Sequence, residues 1–97
     1  MERTISLRVL TETGIALEDE AVSIIAPGEL GYLGVLTHHA PLVSTMQPGK
    51  LIWQRPSGER RTLLIGQGLL ESIQNRCTIL TSRVAEPSPH PADRNAA

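Results

Sequence analysis

The run "RTISLRVL" at residues 3–10 sets the pattern for the whole chain. Successive side chains of an extended strand point to opposite faces, so Ile5, Leu7 and Val9 share one face and Thr4, Ser6 and Arg8 the other. "TETG" (11–14) reads as a turn, with Gly14 available for a positive φ. Similar β-rich runs follow: "EAVSIIA" (20–26), stopped by Pro27-Gly28, then "PLVSTM" (41–46), "KLIWQR" (50–55) and "RRTLLI" (60–65). "LLESI" (69–73) and "CTILTSR" (77–83) complete the series. "QPG" (47–49), "PSGE" (56–59), "GQG" (66–68) and "QNR" (74–76) punctuate them. Short runs at nearly regular spacing predict an antiparallel all-β sandwich or barrel rather than βαβ units. No window carries a sustained helical stripe with caps.

The pattern dissolves from Val84 onward. "PSPHPADRNAA" (87–97) has prolines at 87, 89 and 91 and no apolar periodicity. Proline removes a backbone donor and restricts its neighbour, so an irregular tail is expected at 87–97, after one domain at 1–86. A chain of 97 residues holds one modest core. Its single cysteine, Cys77, forms no internal disulfide, so the fold stands on packing alone. "MERTISLRVL" alternates where a signal peptide would be continuously apolar, and no run approaches a membrane span of about 20 residues.

Charge excludes further classes. A formal net charge of −1, with one Trp, one Tyr and no Phe, lacks the basic stripe and aromatic platform of a nucleic-acid binder. His38-His39 invites a metal reading, but neighbours in an extended segment point to opposite sides, and only His90, Cys77 and scattered acids could assist. There is no G-x-S-x-G elbow, and Cys77 sits within an apolar alternation, where a buried, inert thiol is expected. No helix follows "GELGYLG" (28–34) or "GQG" to make a phosphate site, and the acids Glu18, Asp19 and Glu20 read as a solvated turn. The sequence thus predicts no catalytic residue, no metal site and no cofactor. What remains is a binding surface around residues 27–43, where glycines alternate with Leu30, Tyr32, Leu33, Val35 and Leu36.

Three segments together resemble the ε subunit of F-type ATP synthases, the δ subunit in mitochondria. Gly31-Tyr32-Leu33-Gly34-Val35-Leu36-Thr37-His38-His39-Ala40-Pro41-Leu42 is similar to the family's G-x-x-G-I-L-P-x-H-A-P-L. "QPG" (47–49) is similar to its K-P-G, and "IGQGLLESIQNRCTILTSRVAE" (65–86) to its S-G-G-x-L-E-V…N-x-V-T-V-L-A-D-x-A-E. The likeness spans residues 3–86, in order and spacing. Tyr32 stands where many members carry the glutamate associated with the membrane rotor ring, Thr37 stands for a proline, and the family's C-terminal helical hairpin is not expected in the proline-bearing tail.

The resemblance implies a sandwich of about ten short strands in two five-stranded sheets. It implies a non-catalytic rotor subunit between the γ subunit and the c-ring, coupling ion translocation to ATP synthesis or hydrolysis from the cytoplasmic face of the membrane, without inserting into it. The c-ring-facing residues it implies are Gly31, Tyr32, Gly34 and His39, with Glu29 added. The γ-facing ones are Ser44, Gly66, Glu71 and Thr78. His39 is expected to hydrogen-bond loop carbonyls. Two rival readings remain: a peptide- or carbohydrate-binding sandwich using Trp53 and Tyr32 as an aromatic platform, and a small hydrolase around His38, His39 and Glu29.

Overall fold

The structure is a computed structural model that describes residues 4–87. The expected irregular tail therefore lies, but for Pro87, outside the described residues. The strands are β1 (Ile5–Thr11), β2 (Gly14–Ala21), β3 (Ser23–Gly28), β4 (Gly31–Leu36), β5 (Leu42–Met46), β6 (Gly49–Gln54), β7 (Arg60–Ile65), β8 (Gly68–Ile73), β9 (Arg76–Thr81) and β10 (Val84–Ala85). They form one continuous ladder, β10-β7-β6-β3-β5-β8-β9-β1-β2, with β4 on the other edge of β3.

The ladder folds into two five-stranded layers, β4-β3-β6-β7-β10 and β5-β8-β9-β1-β2. They join at one residue pair, Gly28 opposite Met46, where the Gln47 N–H also donates to the Pro27 carbonyl at 2.9 Å. All pairings are antiparallel except β1 with β9. Between the layers lie the alternate residues of the strands: Ile5, Leu7 and Val9 from β1, Leu51 and Trp53 from β6, Leu70 from β8, Cys77 and Ile79 from β9. The all-β sandwich expected from the period-two pattern is the fold observed, with that one parallel ladder added.

Three strands escaped the sequence reading: β2, β4 and the short β10 at Val84–Ala85. β4 forms within the glycine-bearing segment, and β2 begins at Gly14 and takes in Glu18, Asp19 and Glu20. These acids are therefore not a turn. Glu18 and Glu20 are exposed, but Asp19 points inward, opposite Leu7. Its carboxylate accepts from Trp53 Nε1 at 2.9 Å, from its neighbour's backbone at Glu20 N at 2.8 Å, and from Arg55 Nε at 3.2 Å. Arg55 reaches on to Glu59 at 3.1 Å, and Arg61 meets the same carboxylate at 2.9 Å. One network thus ties edge strand β2 to β6 and to the β6–β7 turn. No buried side-chain polar atom among the described residues lacks a partner.

Strand crowding fixes another position. A Cβ on Gly68 would stand 1.8 Å from the Leu80 carbonyl oxygen, so β8 and β9 can approach this closely only over a glycine. Gly68→Ala should cost about 3 kcal/mol, at the upper end for overpacking, in a denaturant titration. A loss below about 1 kcal/mol would mean that β9 moves freely aside.

Burial opposes ionisation of Asp19, but the Trp53 indole N–H, the Glu20 backbone N–H and Arg55 outweigh it and hold its pKa below the ordinary 3.8. A carboxylate with a depressed pKa adds stability that is complete above its unfolded value and lost as pH falls through the folded one. Wild-type protein should therefore lose melting temperature more steeply than Asp19→Asn as pH drops below about 4. At neutral pH, Asp19→Ala leaves the buried indole N–H unpaired and should cost about 2 kcal/mol. Equal acid slopes for wild type and Asp19→Asn would count against this account.

Candidate functional site

The β3–β4 hairpin turns through only Glu29 and Leu30, between the opposed residues Gly28 and Gly31. Gly31 has a φ of +128°, a region open in practice to glycine alone. The tip is fastened to β5. Glu29 N–H donates to the Thr45 carbonyl at 3.1 Å, and the Thr45 hydroxyl donates to the Glu29 carboxylate. Leu30 beside it is fully exposed. Between hairpin and β5 opens a cleft of about 530 Å³, with Tyr32, Val43 and Ser44 among its lining residues.

A second surface covers the outer face of the β5-β8-β9-β1-β2 layer. One transverse row runs Thr45, Leu69, Leu80, Leu10, Ile15 across the five strands. Leu69, Leu80 and Ile15 in it are about half exposed, at 46%, 48% and 57%. The next row runs Val43, Glu71, Thr78, Arg8, Glu18, with Arg8 and Glu18 paired at 3.1 Å. A third carries Ile73, Arg76, Ser6 and Glu20. The exposed large apolar residues therefore gather in two places, Leu30, Tyr32 and Leu36 on the hairpin and Ile15, Val43, Leu69, Ile73 and Leu80 on this face.

Against this geometry the expected ring-facing set divides. Glu29, Gly31 and Tyr32 share the hairpin tip, and Gly34 follows on β4. There a Cβ would meet only the Ile24 carbonyl, at 3.9 Å, so no internal contact demands glycine. His39 lies beyond the far end of β4, a six-residue strand or about 17–20 Å away. The structure does not bring it to the tip. Its Nδ1 donates to the Ala40 carbonyl at 2.7 Å, the loop-carbonyl bond expected of it, and its N–H donates to Leu36 O at 3.2 Å. His38 sits at a φ of 64°, with its N–H donating to Asn75 Oδ1 at 2.6 Å.

The expected γ-facing set divides too. Glu71 and Thr78 are opposite one another on the outer face. Ser44 lines the hairpin cleft instead, its hydroxyl donating to the Thr45 carbonyl at 2.9 Å. Gly66 is buried in the β7–β8 link, where its carbonyl accepts from the Thr81 hydroxyl at 3.0 Å. Sequence reasoning missed Leu69, Leu80 and Leu10 as surface residues. The signal was present in the doubled aliphatics Val9-Leu10, Leu69-Leu70 and Ile79-Leu80, each of which must put one member outside.

Two rival readings fail on placement. Trp53 is 2% exposed and offers no platform for a carbohydrate or peptide. Glu29 stands at the opposite end of β4 from the histidine pair, so no hydrolase centre assembles from them. No cluster of three or more His, Cys, Asp or Glu suited to a metal ion occurs among the described residues. Burial pushes the Cys77 thiol up to about 12, which keeps it protonated and inert.

Residues 4–87 match the family described as ATP synthase, Delta/Epsilon chain, beta-sandwich domain. The chain belongs to that family. It is 36% identical over 77 residues to the ATP synthase epsilon chain of Moorella thermoacetica, covering 79% of this chain and 58% of the relative. It is 41% identical over 61 residues to that of Stenotrophomonas maltophilia strain K279a, covering 63% and 44%. The chain thus spans roughly half of the length of these epsilon chains. Among solved structures, a chain of the Euglena gracilis mitochondrial ATP synthase (OSCP/F1/c-ring, rotational state 1) shares the fold at a TM-score of 0.86 and 19% identity, over 99% of this chain and 61% of that one. A chain of the Tetrahymena thermophila central stalk/c-ring structure does so at 0.68 and 16%, over 88% and 67%.

The glycines of this delta/epsilon-type sandwich separate fold from surface. Gly31→Ala should lose about 1–3 kcal/mol because its φ excludes a side chain. Gly34→Ala should stay within about 0.5 kcal/mol of wild type in the same thermal melts. A comparable loss at both positions would show that Gly34 too is needed by the fold.

Proposed function

We propose that this sandwich is a non-catalytic rotor subunit of an F-type ATP synthase, standing in the central stalk between the γ subunit and the c-ring. In this reading it couples ion translocation to ATP synthesis or hydrolysis by holding two partners at a fixed spacing. One observation carries the reading: the exposed apolar residues fall on the hairpin, at Leu30, Tyr32 and Leu36, and on the outer sheet face, at Ile15, Leu69, Ile73 and Leu80, with Val43 where the two adjoin. A subunit that transmits torque needs two attachment surfaces and a stiff interior between them, and packed cores deform little. Family membership supports the same role, and no helix among the described residues is long and apolar enough to cross a membrane. The subunit would then act as a peripheral part of the complex on the cytoplasmic face.

The hairpin end, formed by Glu29, Gly31, Tyr32 and Gly34, is assigned to the c-ring. The outer sheet face is assigned to γ, through Glu71 and Thr78 with the apolar row beside them. Ser44 and Gly66 support these contacts from within the fold, and His39 holds the loop that leads into β5.

A titration of the purified chain against its cognate γ subunit tests the assignment. Thr78→Arg adds a third arginine to Arg8 and Arg76 on the face, where a bulky charge should weaken γ binding about tenfold, or ~1.4 kcal/mol. Trp53 emission and the thermal melt should stay unchanged, because Thr78 points away from the core. A wild-type chain that bound neither γ nor the c-ring would overturn the rotor reading.

A further inference from the structure

On this rotor reading, we infer that the hairpin grips the ring through apolar side chains, Leu30 and Tyr32, and that Glu29 is an internal latch rather than the ring contact. Glu29 is already engaged twice by Thr45, once through its backbone N–H at 3.1 Å and once through its carboxylate. The second bond joins a hydroxyl to a charged acceptor, which is the stronger class of hydrogen bond. Turning the carboxylate toward a partner would break it.

Leu30 has no such employment. A tight hairpin turn favours Gly, Asn or Asp, so the turn does not call for leucine, and its full exposure shows that the core does not use it either. A large apolar side chain held at a rigid tip, with nothing inside the fold to explain it, is suited to burial in a partner. Because the tip is tied on both sides, little ordering cost remains at docking. Tyr32 and Val43, 60% and 70% exposed, flank the cleft behind the tip. Of the lining residues Glu29 alone is acidic, and none is basic. The surface therefore fits an uncharged loop of the ring that offers an apolar wall to Leu30 and an apolar side chain to the cleft. Gly34, open outward, lets that loop's backbone come close.

Binding of the purified chain to detergent-solubilised c-ring and, separately, to γ tests this with four variants, each checked for native Trp53 emission. Leu30→Ser should weaken ring binding roughly tenfold and leave γ binding unchanged. Glu29→Gln, which keeps an acceptor for Thr45, should stay within about threefold of wild type, and ring affinity should vary little with salt. Thr45→Val should weaken ring binding several-fold by loosening the tip, whereas Thr45→Ser, which restores the hydroxyl, should not. A neutral Leu30→Ser, or a Glu29→Gln loss near tenfold with a steep salt dependence, would overturn the inference in favour of direct carboxylate contact. So would wild-type binding to γ with none to the ring. Binding to neither partner would instead overturn the rotor reading itself.

Discussion

At an inward-facing register of β2, opposite Leu7, stands a carboxylate where the pattern of its neighbours would place an aliphatic side chain. An unpaired charge there would be costly, and Asp19 is tolerated because Trp53, Arg55 and its own neighbour's amide supply donors around it. The consequence reaches beyond one ion pair. β2 is an edge strand, bonded through its backbone to β1 alone, and the Asp19 contacts hold it against β6 of the other layer. β2 carries Ile15 and Glu18 of the outer face, so the shape of that face depends on a bond made inside the sandwich. Through Arg55 and Glu59 the same network also orders the β6–β7 turn.

How much of this was legible in the sequence follows from what each strand buries. β1, β8 and β9 bury every second side chain, so their alternation announces them. β2 buries little beyond Ala21, and its residues read "GIALEDEA" with no alternation, since an edge strand is held mainly by its ladder to β1. β4 fails to announce itself because Gly31 and Gly34 interrupt the apolar set. The resemblance placed the ring-facing residues of the 31–42 segment on one surface, whereas β4 carries the two ends of that segment apart. Linear spacing cannot reveal that a segment crosses the sandwich, which is why His39 was grouped with Glu29 and Tyr32.

Edge strands usually need protection against pairing with other chains. β2 has it in Glu18, Asp19 and Glu20, whose charges discourage a further strand. β4 has no charged residue at all between Gly31 and Leu36, and Tyr32 and Leu36 stand out from it. An edge left bare on one side of the molecule and guarded on the other is what a protein buried on one side in an assembly would be expected to show.

The hairpin that forms this bare edge is also fastened to the other layer. Gly28 pairs with both Gly31 and Met46, the Pro27 carbonyl accepts from Gln47, and Thr45 binds Glu29 through both backbone and side chain. Those bonds sit at the corner where one layer passes into the other. A force applied at Leu30 therefore enters both layers at once, rather than bending a free loop. Rigidity at the tip and apolar exposure at the tip have separate causes in the sequence, Thr45 with Gly31 for the first and Leu30 with Tyr32 for the second. Their coincidence on a two-residue turn is hard to explain by folding alone, since the fold would be equally well served by a polar turn.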